Sequence, residues 1–104
     1  MYARVTTFTG SPERIDEGLR IYREDVIPWL SDATGFRGWL VLVDRERERS
    51  LGITFWATEQ AARDEQVSGG PLRDEVAASV GAAMQTLDIY EVAAAEALAL
   101  DNLD

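Results

Sequence analysis

Phe36-Arg37-Gly38-Trp39-Leu40-Val41-Leu42-Val43-Asp44 and, after a charged connection, Leu51-Gly52-Ile53-Thr54-Phe55-Trp56-Ala57 decide the fold of this chain. Both stretches are rich in β-branched and aromatic residues and read as strands. The centre of the first, Trp39 to Val43, is apolar on both alternating rows; the second sets Leu51, Ile53 and Phe55 against Thr54 and Trp56. An antiparallel sheet with one wet face alternates apolar with polar residues, so strands apolar on both sides demand two covering layers. The connection Arg45-Glu46-Arg47-Glu48-Arg49-Ser50 has no Asn-Gly or Asp-Gly pair and reads as a longer or bulged hairpin loop of solvated, alternating charges.

Upstream, Tyr2 to Thr9 reads as a strand stopped by Gly10. Ser11-Pro12-Glu13 follows as a helix start, with Ser11 as N-cap and Pro12 at the first helical position. Ile15, Leu19, Tyr22 and Val26 then form one apolar stripe, and Pro28 is expected to kink or end that helix near Ile27, leaving Trp29 and Leu30 in or beyond its last turn. Downstream, Thr58 caps a short helix, Glu59 to Val67. Ser68-Gly69-Gly70-Pro71 reads as a break, and a second helix follows with Leu72, Val76, Val80 and Met84 at a spacing of four, through about Gln85. Thr86 to Ala93 is the fourth strand, with Leu87 and Ile89 opposite Asp88, Tyr90 and Val92.

This order is that of an α+β, ferredoxin-like split βαβ domain (βαββαβ): a four-stranded antiparallel sheet with helices on one face. Residues 1–93 read as the single domain and 94–104 as a C-terminal tail, for which a loose helix, a frayed end or an arm exchanged with a partner all fit. Trp39, Val41, Val43, Trp56, Tyr90 and Val92 cannot all turn toward the helices, so the sheet's back is expected to meet a second copy. The expected partner is the chain itself, as a homodimer through facing sheets.

Composition narrows the chemistry. The 104 residues contain no histidine and no cysteine, and all ten basic residues are arginine. That removes the commonest proton shuttle, metal ligands, thiolate nucleophile and Schiff-base amine together. No carboxylate spacing singles out a metal site, and no cofactor is expected. A net charge of −9 argues against nucleic acid or an anionic membrane surface as partner. With no leader-like or membrane-length apolar run, the expectation is a soluble, cytoplasmic protein.

The runs Gly35-Phe36-Arg37-Gly38-Trp39 and Ile53-Thr54-Phe55-Trp56-Ala57-Thr58-Glu59-Gln60-Ala61, with the element order, resemble the antibiotic-biosynthesis-monooxygenase-type family of dimeric α+β barrels over residues 2–93. The strongest marker is Trp56 followed by Thr58 and Ala61, similar to the family's Trp-x-Ser/Thr-x-x-Ala pattern. The resemblance implies a ligand cavity between helices and sheet, and activities that include cofactor-independent oxygenation of phenols and quinols. The Asn, Trp and axial His that mark haem-degrading relatives are missing from Tyr2-Ala3-Arg4-Val5-Thr6, Ala61-Ala62-Arg63-Asp64-Glu65 and Arg73-Asp74-Glu75-Val76, so haem degradation is not expected. The best-studied oxygenases also use Asn near the substrate, and here the only Asn is Asn102.

The catalytic residues are therefore unknown at this stage. The candidates for a ligand pocket are Tyr22, Trp29, Trp56, Arg63, Met84 and Tyr90. Four have a plainer reading: Tyr22 and Met84 as core, Trp56 as sheet or interface core, and Arg63 as a surface ion-pair partner; Trp29, after a proline and near a helix end, is the better candidate for the pocket rim. The expected ligand is a small apolar or aromatic molecule. Three functions fit: a cofactor-independent monooxygenase on aromatic or quinol-type substrates, a non-catalytic ligand-binding or dimerisation module, and a polyketide-type cyclase or isomerase needing one buried acid of raised pKa.

Overall fold

The computed structural model describes residues 1–98. The elements are β1 (Tyr2–Thr9), a 3-10 turn (Pro12–Arg14), α1 (Ile15–Ile21), a π-helical turn (Tyr22–Val26), α2 (Ile27–Ser31), β2 (Phe36–Asp44), β3 (Arg49–Trp56), α3 (Glu59–Ser79) and β4 (Ala83–Glu91). The strands make one antiparallel sheet in the order β2-β3-β1-β4. This is the ferredoxin-like α+β arrangement, with the helices on one face of the sheet.

Register identifies that face. Arg4 pairs with Thr54 on β3 and with Ile89 on β4, and Thr54 pairs with Trp39 on β2. The Trp39 ring lies 5.6 Å from that of Tyr22 in the π-helical turn, so this row points at the helices. Trp39, Val41, Val43 and Trp56 therefore all turn inward. The apolar residues of the sheet's back are instead the alternate row: Leu40 and Leu42 on β2, with Leu51, Ile53 and Phe55 on β3, Val5 on β1 and the half-exposed Tyr90 on β4.

Both helical segments run through the prolines expected to interrupt them. Ser11 begins the first through its carbonyl, which accepts from the Arg14 N–H at 3.0 Å. The path then continues through Pro28, because the π-helical turn just before it closes Ile27 N–H onto the Tyr22 carbonyl, five residues back. Tyr22, Val26 and Leu30 all face the interior as a result, Val26 and Leu30 with no exposure at all.

The second segment is one helix of 21 residues, with Ser68-Gly69-Gly70-Pro71 inside it and no break. Pro71 frees the Val67 carbonyl four residues back, but Val67 is 81% exposed and water can take that acceptor. Thr58 caps α3 as its position suggests, its hydroxyl oxygen accepting from Ala61 N–H at 3.1 Å. The far end stops at Ser79 rather than Gln85. Gly81 takes φ +69, the Ala82 N–H reaches back to the Ala77 carbonyl and the Gly81 N–H to that of Ala78, a glycine-dependent Schellman ending. Met84, expected on the helix stripe, consequently lies on β4 and is half exposed.

Val26, Leu30, Trp56 and Ala62 form the closed core at one end of the layer between sheet and helices. Gly35, with φ +82, lets the start of β2 pass against α3, where a Cβ would stand 2.8 Å from that of Ala61. Residues 94–98 have no regular structure and are exposed, and the rest of the expected tail, 99–104, lies outside the described residues. Among the described residues no helix is long and apolar enough to cross a membrane.

Candidate functional site

The inward row of β1 carries an arginine. Arg4 is 2% exposed, and its guanidinium donates to the Ala62 carbonyl at 2.9 Å and to the Glu65 carboxylate. It also stands 5.2 Å from the ring centroid of Trp56, a cation–π geometry in a dry setting. Trp56 is fully buried; its indole N–H donates to Thr54 Oγ1 at 2.8 Å, and Phe36 meets its ring edge-on at 5.5 Å.

The same carboxylate receives a second cation. Arg73 lies two turns along α3 from Glu65 and pairs with both of its oxygens through one amino nitrogen. Ala62, Glu65, Gly69, Arg73 and Val76 form the inward stripe of α3, continued by Val80 just past its end. A helix stripe that buries one acid and one base needs compensation for their lost hydration, and the ion pair supplies it. The cluster holds two guanidiniums and one carboxylate, a formal charge of +1.

Tyr22 sits beside this cluster. Burial pushes its phenol above the ordinary 10.0, and Glu65 adds to that, while the Arg73 and Arg4 cations pull it back. Tyr22 is therefore a protonated donor at neutral pH. Burial and then the neighbouring Arg73 cation lower the Arg4 pKa, with Glu65 opposing both.

At the other end of the layer the packing is open. A cleft lies between α1, the π-helical turn, the C-terminal half of α3 and the inward faces of β1, β2 and β3. Its walls are apolar, among them Ile15, Leu19, Val41, Val43, Val76 and Val80, and Gly18, Gly52 and Ala77 leave the space between them. The cavity volume is about 120 Å3, on the order of the ~150 Å3 apolar cavity that holds a benzene ring. Tyr22, Val26 and Arg73 line its inner end, toward the core; the exposed Ser11, Glu48 and Arg49 stand at its mouth, where Arg14 also lies.

Of the six residues read from sequence, Tyr22 lines this cleft. Trp56 is one step behind it, in contact with Arg4. Trp29, 40% exposed, belongs to a separate polar groove with Thr58, Gln60, Asp64 and Ser68. Arg63 is on the wet side of α3, paired with Glu59 at 2.6 Å. Met84 and Tyr90, 49% and 55% exposed, lie away from the cleft lining. Arg4, Glu65 and Arg73 are not among those six. Their signal was an arginine on the inward row of a strand and an acid and a base eight residues apart on one helix face, a pattern that resembles a solvated helix until the register is known.

A protein assigned as an antibiotic biosynthesis monooxygenase from Deinococcus radiodurans superposes with a TM-score of 0.69 at 17% identity, over 94% of this chain and 98% of that one. The fold is that of the antibiotic-biosynthesis-monooxygenase-type proteins. SnoaB of Streptomyces nogalater, a cofactor-independent oxygenase, gives 0.64 at 18% identity over 94% and 96% of the two chains. The heme-degrader MhuD of Mycobacterium tuberculosis, solved with two hemes in its active site, gives 0.70 at 16% over 93% and 100%. By sequence, the uncharacterized protein Rv2557 of Mycobacterium tuberculosis is 33% identical over 94 residues, 90% of this chain. The chain spans 42% of that relative's length. No protein-family model matches the chain.

Proposed function

We propose that this protein binds a small, ring-containing molecule in the cleft between helices and sheet, and oxygenates it without a cofactor. One observation carries the reading: a ring-sized cleft with mostly apolar walls has Tyr22 and Arg73 at its inner end, while its other charged side chains, Arg14, Glu48 and Arg49, stand at the mouth. Apolar walls with few polar groups suit a flat, mostly apolar ligand that those groups orient. The likeness in fold to SnoaB adds the chemistry. A phenol that loses its proton can give electrons to dioxygen from the ring. One oxygen atom forms the new C=O bond, the O–O bond breaks, and the other leaves as water, so that phenol plus dioxygen gives quinone plus water. The protein's share is to orient the ring and exclude water.

The second copy is part of this proposal. Leu40, Leu42, Leu51, Ile53 and Phe55 make a contiguous apolar back, and a like sheet is the cover that fits it. Facing sheets would stiffen the floor of each cleft.

A binding-only role is favoured by one specific feature. Glu65 is the one carboxylate buried in the helix–sheet layer among the described residues, and two guanidiniums occupy its oxygens, so neither is turned to a ligand in the cleft. The same feature weighs against a cyclase or isomerase that needs a free buried acid. Oxygen consumption decides between oxygenase and carrier. Anthrone- and quinol-type phenols incubated with the protein should consume oxygen and yield the quinone at a rate abolished in Ala77→Phe, which fills the cleft. Saturable binding without oxygen uptake would make the protein a carrier.

A further inference from the structure

We infer that α1 is a movable wall of the cleft, displaced from α3 by ligands of two or more rings and left in place by a single ring. The inference rests on the reading of the cleft as a ring-binding site and adds how that site accommodates size.

Volume sets the requirement. The cleft offers about 120 Å3, and an apolar cavity of about 150 Å3 holds one benzene ring. Two or three fused rings enter only if a wall yields. Densely packed elements do not deform continuously, so the wall that yields is the one least firmly held.

The sheet is firmly held. Phe8, Val41, Val43 and Gly52 line the cleft from three adjacent strands, and antiparallel ladders join those strands on both sides of β3. The same is true of α3. It buries Ala62, Glu65 and Gly69, and Arg4 ties it to β1 through the Ala62 carbonyl and the Glu65 carboxylate.

The wall formed by α1 is different. None of its seven residues is buried, although Ile15, Gly18 and Leu19 line the cleft. It meets the end of α3 at Gly18, where a Cβ would stand 3.4 Å from Cγ2 of Val80. Two polar contacts latch it at the rim. Arg14, its N-cap, donates to the Ser79 carbonyl at 2.9 Å, and Asp16 pairs with Arg45 of the β2–β3 connection at 3.0 Å. Both contacts are exposed, and each such contact contributes little, so the closed position is only weakly preferred.

Firm anchors flank this helix. Gly10 is pressed on Ala82, where a Cβ would meet the Ala82 Cα at 3.3 Å, and past the π-helical turn Val26 and Leu30 are fully buried. Between the anchors and α1 lie the 3-10 turn Pro12–Arg14 and the π-helical turn Tyr22–Val26. Irregular turns of both kinds are places where helices bend. A lightly held element between two bendable joints is the arrangement of a hinged wall.

The test compares phenol, with one ring, and 1-naphthol, with two, by NMR. A nuclear Overhauser contact between Gly18 Hα and the Val80 methyl should be present in the free protein and with phenol bound, and should vanish with 1-naphthol bound. The contact between the Phe8 ring and Gly52, both on the fixed wall, should persist throughout. Latches that exist only in the closed position oppose the larger ligand, so deleting them should improve its binding. Arg14→Ala combined with Asp16→Asn should raise the affinity for 1-naphthol roughly five- to tenfold without raising that for phenol. If the double variant fails to fold, Asp16→Asn alone should still favour 1-naphthol, by about twofold. A Gly18–Val80 contact that survives 1-naphthol binding, an affinity for 1-naphthol that stays level or falls in these variants, or binding of phenol alone overturns the movable wall and leaves ring binding intact. Failure of phenol and 1-naphthol alike to bind overturns ring binding itself.

Discussion

Gly69 and Trp29 occupy space that a single methyl group would contest: a Cβ on Gly69 would stand 2.6 Å from Cη2 of the Trp29 ring, closer still to its neighbour Cζ3, and against the Glu65 carboxylate. A glycine in the middle of α3 costs the helix about 1 kcal/mol relative to alanine. Here it admits the indole and leaves Glu65 free to reach Arg4. Gly69→Ala should therefore destabilise the protein by about 2 kcal/mol despite its better helix propensity, because forcing an atom into filled space costs more than propensity returns. Urea denaturation measures it. Gly70→Ala, where a Cβ meets nothing within 4 Å, should be neutral or stabilising.

The Arg4–Glu65–Arg73 cluster has asymmetric energetics. Removing the shared carboxylate leaves two like charges buried without compensation, so Glu65→Gln should cost about 3–5 kcal/mol in denaturant unfolding. Replacing all three side chains with Met, Leu and Met should cost far less, within about 2 kcal/mol of wild type, since a packed apolar core needs no charge compensation. A large loss in the triple variant would mean that the cluster supports the fold through contacts other than its charges.

Tyr22 makes stability fall at high pH. In the unfolded chain its phenol ionises near the ordinary 10.0, while in the folded protein burial keeps the proton on to higher pH. Between those two values the folded state binds more protons than the unfolded, so unfolding free energy decreases as pH rises. The contribution is complete below about pH 10 and is lost as pH climbs through the folded value. Tyr22→Phe should flatten this part of the stability profile. Of the three tyrosines, the one that ultraviolet titration finds ionising last should disappear in the same variant.

The apolar back of the sheet predicts association. Leu42, 46% exposed in the single chain, should be covered by the second copy. Leu42→Glu together with Ile53→Glu places two charges on that face and should convert a dimer into a monomer in sedimentation velocity at micromolar concentration, with the cleft unaltered. A wild-type monomer would contradict the proposed pairing.

The strands and the helix order could be read from sequence because each rests on local evidence: β-branched runs, the Thr58 cap, the stripe of Ile15, Leu19, Tyr22 and Val26. Two features could not. Pro28 and Pro71 both look like stops, but a π-helical turn before the first and an exposed carbonyl beside the second accommodate them, and neither device leaves a local signature. The site was hidden for another reason. Arg4 and Glu65 are 61 residues apart, and their meeting depends on which row of β1 faces inward. Among the strand residues apolar on both rows, sequence left that choice open. The inward row proved to be that of Trp39 and Trp56, which placed Arg4 in the core, while Met84 left the helix stripe because α3 ends at Ser79.

A residue-resolved NMR titration with 1-naphthol puts the placement of the ligand to the test most directly. Saturable shifts are expected for the Gly18, Gly52 and Ala77 amides, which border the cleft on three different elements, with Gln60 and Asp64 in the polar groove unmoved. Saturable shifts confined to Gln60 and Asp64, or no saturable shift at Gly18, Gly52 and Ala77, would contradict it.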